Sequence, residues 1–178
     1  MRKLLFFILS SVAVFAATVF FRLGGHKSVE LKLEDRGELH LLYKEHFGAY
    51  HKINDVLVEV EALAAKNNIP CPQTFGEYLD DPRQIEERRL RSHGGCVLTA
   101  ATSGLDGLSY KTIPARQWLV ANFDGAPSIG PMKVYPKAEH YMLEHGLKLG
   151  GPVIEIYTVK GAQEAKTEYL FPVEKSTP

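Results

Sequence analysis

The chain has 178 residues, 45% apolar and 24% charged, the make-up of an ordinary globular protein with room for one good core. Lys and Arg together number 21, as do Asp and Glu. That balance supplies no field to gather nucleic acid or an acidic partner, so a nucleic-acid-binding role is disfavoured.

Leu4 to Phe21 is an unbroken uncharged run behind Arg2 and Lys3, just long enough to span a bilayer. A signal peptide cleaved near Val14-Phe15-Ala16 is the competing reading. The run continues through Val19-Phe20-Phe21, which favours an uncleaved single-pass anchor over residues 1–23. On either reading the chain meets a membrane, and the basic residues ahead of the run favour export of the C-terminal domain. Residues 24–37 are polar and Gly-containing and read as a tether, with the folded domain expected over 38–175.

Leu39 to Phe47 reads as a strand that passes through Gly48 into a helix. Tyr50, Ile53, Leu57, Val60 and Ala64 fall on one stripe of that helix, with Lys52, Asp55, Glu59 and Lys66 away from it, the pattern of a helix lying on a sheet. Asn67-Asn68-Ile69-Pro70 stops it. Gln73 to Asp80, a turn at Asp81-Pro82 and a returning strand over Arg88 to Thr99 complete a β-α-β-β unit. Cys71 and Cys96 then lie near one another at the open end of the hairpin. Either a disulfide or two small buried thiols fits that placement.

Arg116 to Pro127 repeats the outline of the first strand and hinge, with Phe123 followed by Gly125-Ala126. Pro131 and Pro136 predict a broken second helical region, one turn up to Val134 and a helix from Pro136 to His145. Val153 to Val159 and Thr167 to Val173 form a closing hairpin around Gly161. The expected fold is α+β: duplicated β-α-β-β units joined along their first strands into an antiparallel sheet, helices on one face and a ligand cleft on the other.

Alternation separates Ile154 and Ile156 from Glu155 and Tyr157, and Tyr169 and Phe171 from Glu168 and Leu170. Placing the Ile pair with Tyr169 and Phe171 under the helix puts Glu155, Tyr157 and Glu168 on the open face. Trp118 joins them if Leu119 lies under the helix. A carboxylate among rings can hold a cation or act as a general base; the plainer alternative is that Trp118 and Tyr157 are core aromatics and Glu168 a solvated strand residue. His40, His46 and His51 have no metal-ligand spacing, His93-Gly94-Gly95-Cys96 is weak as a metal motif, and Ser103 lacks a base partner. No metal or cofactor is expected.

Tyr43-Lys44-Glu45-His46-Phe47-Gly48-Ala49-Tyr50, Gly76-Glu77-Tyr78-Leu79-Asp80-Asp81-Pro82, Pro152 to Tyr157 and Thr167 to Val173, in this order and spacing, resemble the GyrI-like small-molecule-binding domains. The resemblance implies a ligand-contacting glutamate at Glu168 and a pocket tyrosine at Tyr157. Its members include ligand sensors of transcription regulators, a gyrase inhibitor and hydrolases of strained-ring compounds, so it does not fix an activity. The layout also resembles a membrane-anchored ER-phagy-receptor branch that acts through a long adaptor-binding tail. This sequence reaches Pro178 without such a tail, and the receptor role is not carried over.

The expected function is therefore a membrane-tethered domain that binds a small hydrophobic or cationic molecule through Trp118, Glu155, Tyr157 and Glu168. Hydrolysis of a reactive electrophile by Tyr157 and Glu168 is the second reading. A membrane-bound protein adaptor is the third, its expected sign a filled cleft with Trp118 packed inside.

Overall fold

The computed structural model describes residues 2–161 and 164–176. Helix α1 (Arg2–Arg22) is exposed over residues 3–22 except for a half-buried Ser10, and it leads into strand β1 (Glu30–Arg36). β2 (Leu39–Phe47), α2 (Ile53–Lys66), β3 (Gln73–Tyr78) and β4 (Arg91–Leu98) follow, then β5 (Ser109–Ile113), β6 (Arg116–Asp124) and α3 (Gly130–Glu144). β7 (Leu147–Leu149), β8 (Val153–Gly161) and β9 (Glu164–Lys175) close the chain. The strands form one antiparallel sheet in the order β1-β6-β9-β8-β3-β4-β2-β5, with β7 beside β9. The fold is α+β, as expected.

Several details differ from the sequence reading. Residues 24–37 are not a free tether: β1 pairs with β6 from Glu30↔Asn122 to Arg36↔Arg116, and Val29 belongs to the core. The β-α-β-β sets meet through their second strands, β3 and β8, with Phe75 opposite Ile156, and not through their first strands. α3 is continuous from Gly130 to Glu144 although Pro136 lies inside it. Pro131 sits in the first turn, where a missing N–H costs nothing, and burial of Val134, Ala138 and Met142 along one face offsets the bond that Pro136 forfeits. The closing hairpin is present, while the turn after Gly161 lies outside the described residues.

The sheet is curled. β1 and β2 are separated by six strand spacings in the order yet joined only by Gly37 and Glu38, and β5 and β6 are likewise separated by six and joined only by Pro114 and Ala115. Three peptide steps reach at most about 11 Å, whereas six spacings of a flat sheet measure about 29 Å. The two edges must therefore come round toward one another.

That curvature gives the sheet an inner and an outer face. Leu41, Phe75, Trp118, Val120, Ile154, Ile156 and Leu170 fill the inner face. This is the helix-free face on which a cleft was expected, and the protein's own side chains occupy it. Helices α2 and α3 lie on the outer face. α2 covers Leu42, Cys96, Leu98 and Leu108 with Val60 and Ala64; α3 covers Leu119, Ala121, Phe123, Tyr169 and Phe171 with Val134, Ala138 and Met142. Gly48, at φ +110°, makes the turn from β2 towards α2 that an L side chain would resist. Cys71 and Cys96 are joined by a disulfide, with their Cα atoms 5.2 Å apart.

Candidate functional site

The four residues singled out in the sequence do not share a face. The β8–β9 register sets Glu155 opposite Tyr169 and Tyr157 opposite Thr167, while Ile156 is opposite Glu168 and Ile154 opposite Leu170. Glu155 and Tyr157 therefore lie on the outer face, among the residues covered by the helices. Trp118 and Glu168 lie on the inner face. The expected grouping of the Ile pair with Tyr169 and Phe171 is thus reversed, because alternation orders residues within a strand and cannot phase one strand against the next.

Glu168 is also not a free carboxylate: Arg36 donates to it at 2.8 Å and, more weakly, at 3.4 Å, while Arg36 also holds Glu34. Trp118 is 2% exposed, with the Arg116 guanidinium 5.4 Å from its ring centroid. It is a core aromatic.

On the outer face, Glu155 is 4% exposed. Tyr135, from α3, donates to its Oε1 at 3.0 Å, and Tyr157 donates to its Oε2 at 3.1 Å. With the Tyr157 proton so used, Tyr78 from β3 donates in turn to the Tyr157 hydroxyl at 2.7 Å. The Tyr78 ring meets Tyr50 edge to face at 4.7 Å, and the Tyr50 hydroxyl donates to the Asp80 carbonyl at 2.8 Å. Tyr169, opposite Glu155 on β9, packs edge to face against Tyr135 at 6.1 Å. No Lys, Arg or His is paired with Glu155 among the described residues.

Burial makes the ionised form of Glu155 costly and pushes its carboxyl up to about 7, even though both tyrosine hydrogen bonds favour the anion. Burial, with the nearby Glu155 charge, raises Tyr78, Tyr135, Tyr157 and Tyr169 far above the ordinary phenol value, so these hydroxyls remain donors. The result is an aromatic enclosure around a carboxylate that has hydrogen bonds and no counter-charge. Such a group favours an incoming cation or can take a proton near neutrality.

The model of the GyrI-like small-molecule-binding domain matches residues 30–174. The chain belongs to this family. No curated protein sequence matches it, but solved structures do. EcmrR, in a complex with DNA, superposes on the GyrI-like chain with a TM-score of 0.67 and 15% identity, over 98% of this chain and 68% of that one. SAV2435 bound to tetraphenylphosphonium matches at 0.54 with 12% identity, over 82% and 94%. A hydrolase from Listeria innocua matches at 0.54 with 11% identity, over 82% and 92%. At these identities the likeness is one of fold.

Sequence reasoning missed two of the tyrosines around Glu155, Tyr78 and Tyr135. Tyr78 sits at the end of a strand that alternation alone does not phase, and Tyr135 falls at the break expected between Val134 and Pro136. The available signal for Tyr135 was its position beside Val134 on the buried side of an amphipathic helix. A second polar cluster was also missed. On the inner-face side of β3, Glu77 is 5% exposed; His93 Nδ1 lies 2.5 Å from its carboxylate, Lys111 donates to it, and Lys111 stands 4.9 Å from the centroid of the Tyr43 ring. Burial alone would raise the Glu77 carboxyl, but the contacts from His93 and Lys111 outweigh it and hold the group below the usual value. Glu77 thus has the counter-charge that Glu155 lacks.

Helix α1, a 20-residue stretch of which is long and apolar enough to cross a membrane, ends against the domain. Ala126 N–H donates to the Leu23 carbonyl at 2.9 Å. Lys133 of α3 donates to the Gly25 and Lys27 carbonyls, and both Gly24 and Gly25 are buried.

Proposed function

We propose that this GyrI-like protein binds a small organic cation at Glu155, between α3 and the outer face of the sheet, and that α1 holds the domain on the exported side of a membrane. The observation that carries the reading is the Glu155 carboxylate, buried, ringed by Tyr78, Tyr135, Tyr157 and Tyr169, and without a cationic partner among the described residues. A bound cation supplies the missing charge and gains from the surrounding rings. Glu168, the sequence's candidate for this role, is already paired with Arg36.

Three further features support the reading. SAV2435, of the same fold, is known with tetraphenylphosphonium bound. The Cys71–Cys96 disulfide suits an oxidising compartment. The sets β2-α2-β3-β4 and β6-α3-β8-β9 occupy equivalent places about the β3–β8 junction; we read them as copies of one unit, with the site beside the line where they meet.

Titration calorimetry with tetraphenylphosphonium tests the proposal on the full chain in detergent. Glu155→Gln weakens binding by about tenfold or more, as expected for a lost charge-assisted contact, without lowering the melting temperature. Equal binding by wild type and the variant removes the proposal.

Hydrolysis is the second reading, with Glu155 in place of the expected Glu168, which lies on the opposite face of the sheet from Tyr157 and is paired with Arg36. It is favoured by the bond from Tyr157 to a carboxyl poised near neutrality, a proper setting for a general base. Turnover of an ester or strained-ring probe that disappears in Tyr157→Phe would establish it. The adaptor reading gains from the filled inner face, but that filling leaves the Glu155 enclosure on the other side of the sheet untouched.

A further inference from the structure

Two buried hydroxyls near Glu155 make no hydrogen bond. Tyr169 and Thr167 are both 0% exposed, and Tyr169 OH and Thr167 Oγ1 have no partner among the described residues. The Thr167 hydroxyl is near enough to Tyr169 OH to favour its ionised form slightly, but the pair falls short of hydrogen-bond geometry. Both belong to the outer face of β9, Tyr169 opposite Glu155 and Thr167 opposite Tyr157. Gly130, at the start of α3, accommodates the phenol: a Cβ there would come within 2.0 Å of Tyr169 OH. An orphaned buried hydroxyl costs about 1–3 kcal/mol, and native structures seldom leave one without a role.

We propose that Tyr169 and Thr167 form a polar subsite beside Glu155 that selects cations carrying an oxygen close to the charge, such as quaternary ammonium alcohols, over purely hydrocarbon cations. This rests on the proposed binding of a cation at Glu155 and adds the chemistry of its neighbour. The ligand oxygen accepts from Tyr169 OH, and a ligand hydroxyl donates to Thr167 Oγ1. Glu155, already accepting from Tyr135 and Tyr157, takes the positive charge. Discrimination arises because a hydrocarbon arm leaves both hydroxyls unpaired in the complex, whereas an oxygen-bearing arm satisfies them.

The test uses a matched pair of probes, benzyl(2-hydroxyethyl)dimethylammonium and benzyldimethylpropylammonium, of similar size and equal charge. Titrated into the full chain in detergent, the hydroxyethyl cation binds wild type about tenfold more tightly, the worth of one or two well-placed hydrogen bonds. Tyr169→Phe abolishes that preference by weakening the hydroxyethyl cation about tenfold more than the propyl cation, and it does not lower the melting temperature, because the phenol hydroxyl makes no bond in the free protein. Thr167→Val reduces the preference in part. A wild type that binds both cations equally, or a preference that survives Tyr169→Phe, overturns the subsite while leaving cation binding intact. If neither probe binds, both the subsite and the parent reading fail.

Discussion

Glu155 is where local chemistry and fold stability oppose each other. Its carboxyl is raised by burial to about 7 in the folded chain against an ordinary value of 4.5, so between those values the folded state holds a proton that the unfolded state has released. Stability is therefore greatest, with respect to this group, below about pH 4.5, and falls as the pH rises to about 7. The full span of such a shift corresponds to about 3 kcal/mol. Glu77, Asp80 and Asp81 are held below their usual values and act in the opposite sense, losing stability as pH falls. The difference between wild type and Glu155→Gln isolates the one group: in thermal melts the variant gains on wild type as the pH rises from 5 to 7.5. A gap independent of pH would show that Glu155 is solvated. Composition and motif could propose Glu155 as a candidate, since its place in Pro152 to Tyr157 is visible in the sequence; that it lacks a counter-ion could not be read there, because Arg36, which neutralises Glu168, is 132 residues distant along the chain.

Among the elements, α3 joins two parts of the molecule. Tyr135 ties its second turn to Glu155, and Lys133 ties it to the carbonyls following α1. The helix that lines the candidate site thus also holds the end of the apolar helix. Lys133→Met leaves two main-chain carbonyls without their donor, a local cost of order 1–3 kcal/mol. Hydrogen exchange of the full chain in lipid nanodiscs should show faster exchange over residues 24–29 and 126–130, with α2 and β2 to β4 unchanged; unaltered exchange at 24–29 would mean that Lys133 does not secure the junction. The amphipathic stripe of α2 was plain from its spacing. α3 was harder to read because Pro136 breaks the local rule. Burial of Val134, Ala138 and Met142 keeps the helix whole, and burial is a tertiary property.

For the whole molecule, curvature of the sheet decides which face the protein's own side chains fill and which the helices cover. The two-residue links β1–β2 and β5–β6 draw the edges together, and Trp118 sits with Leu41, Phe75 and Leu170 in the space they enclose. Trp118→Ala should cost about 3–5 kcal/mol in chemical denaturation, as for other large buried aromatics, while affinity of the folded protein for tetraphenylphosphonium stays within about twofold. A selective loss of affinity with little loss of stability would return Trp118 to the binding site.

Periodicity and hinge residues in the sequence alone determined the apolar N-terminal helix, α2, the strands β2, β3, β4, β6, β8 and β9, and the α+β class. These follow from contacts within a strand or helix, where spacing fixes orientation. Only the tertiary structure decided that β1 joins the sheet, that β3 meets β8, and that Glu155 and Tyr157 face the helices while Trp118 and Glu168 face inward. Each of those outcomes depends on register between strands far apart in the chain, and a shift of one residue exchanges the two faces of a strand without altering its own alternation.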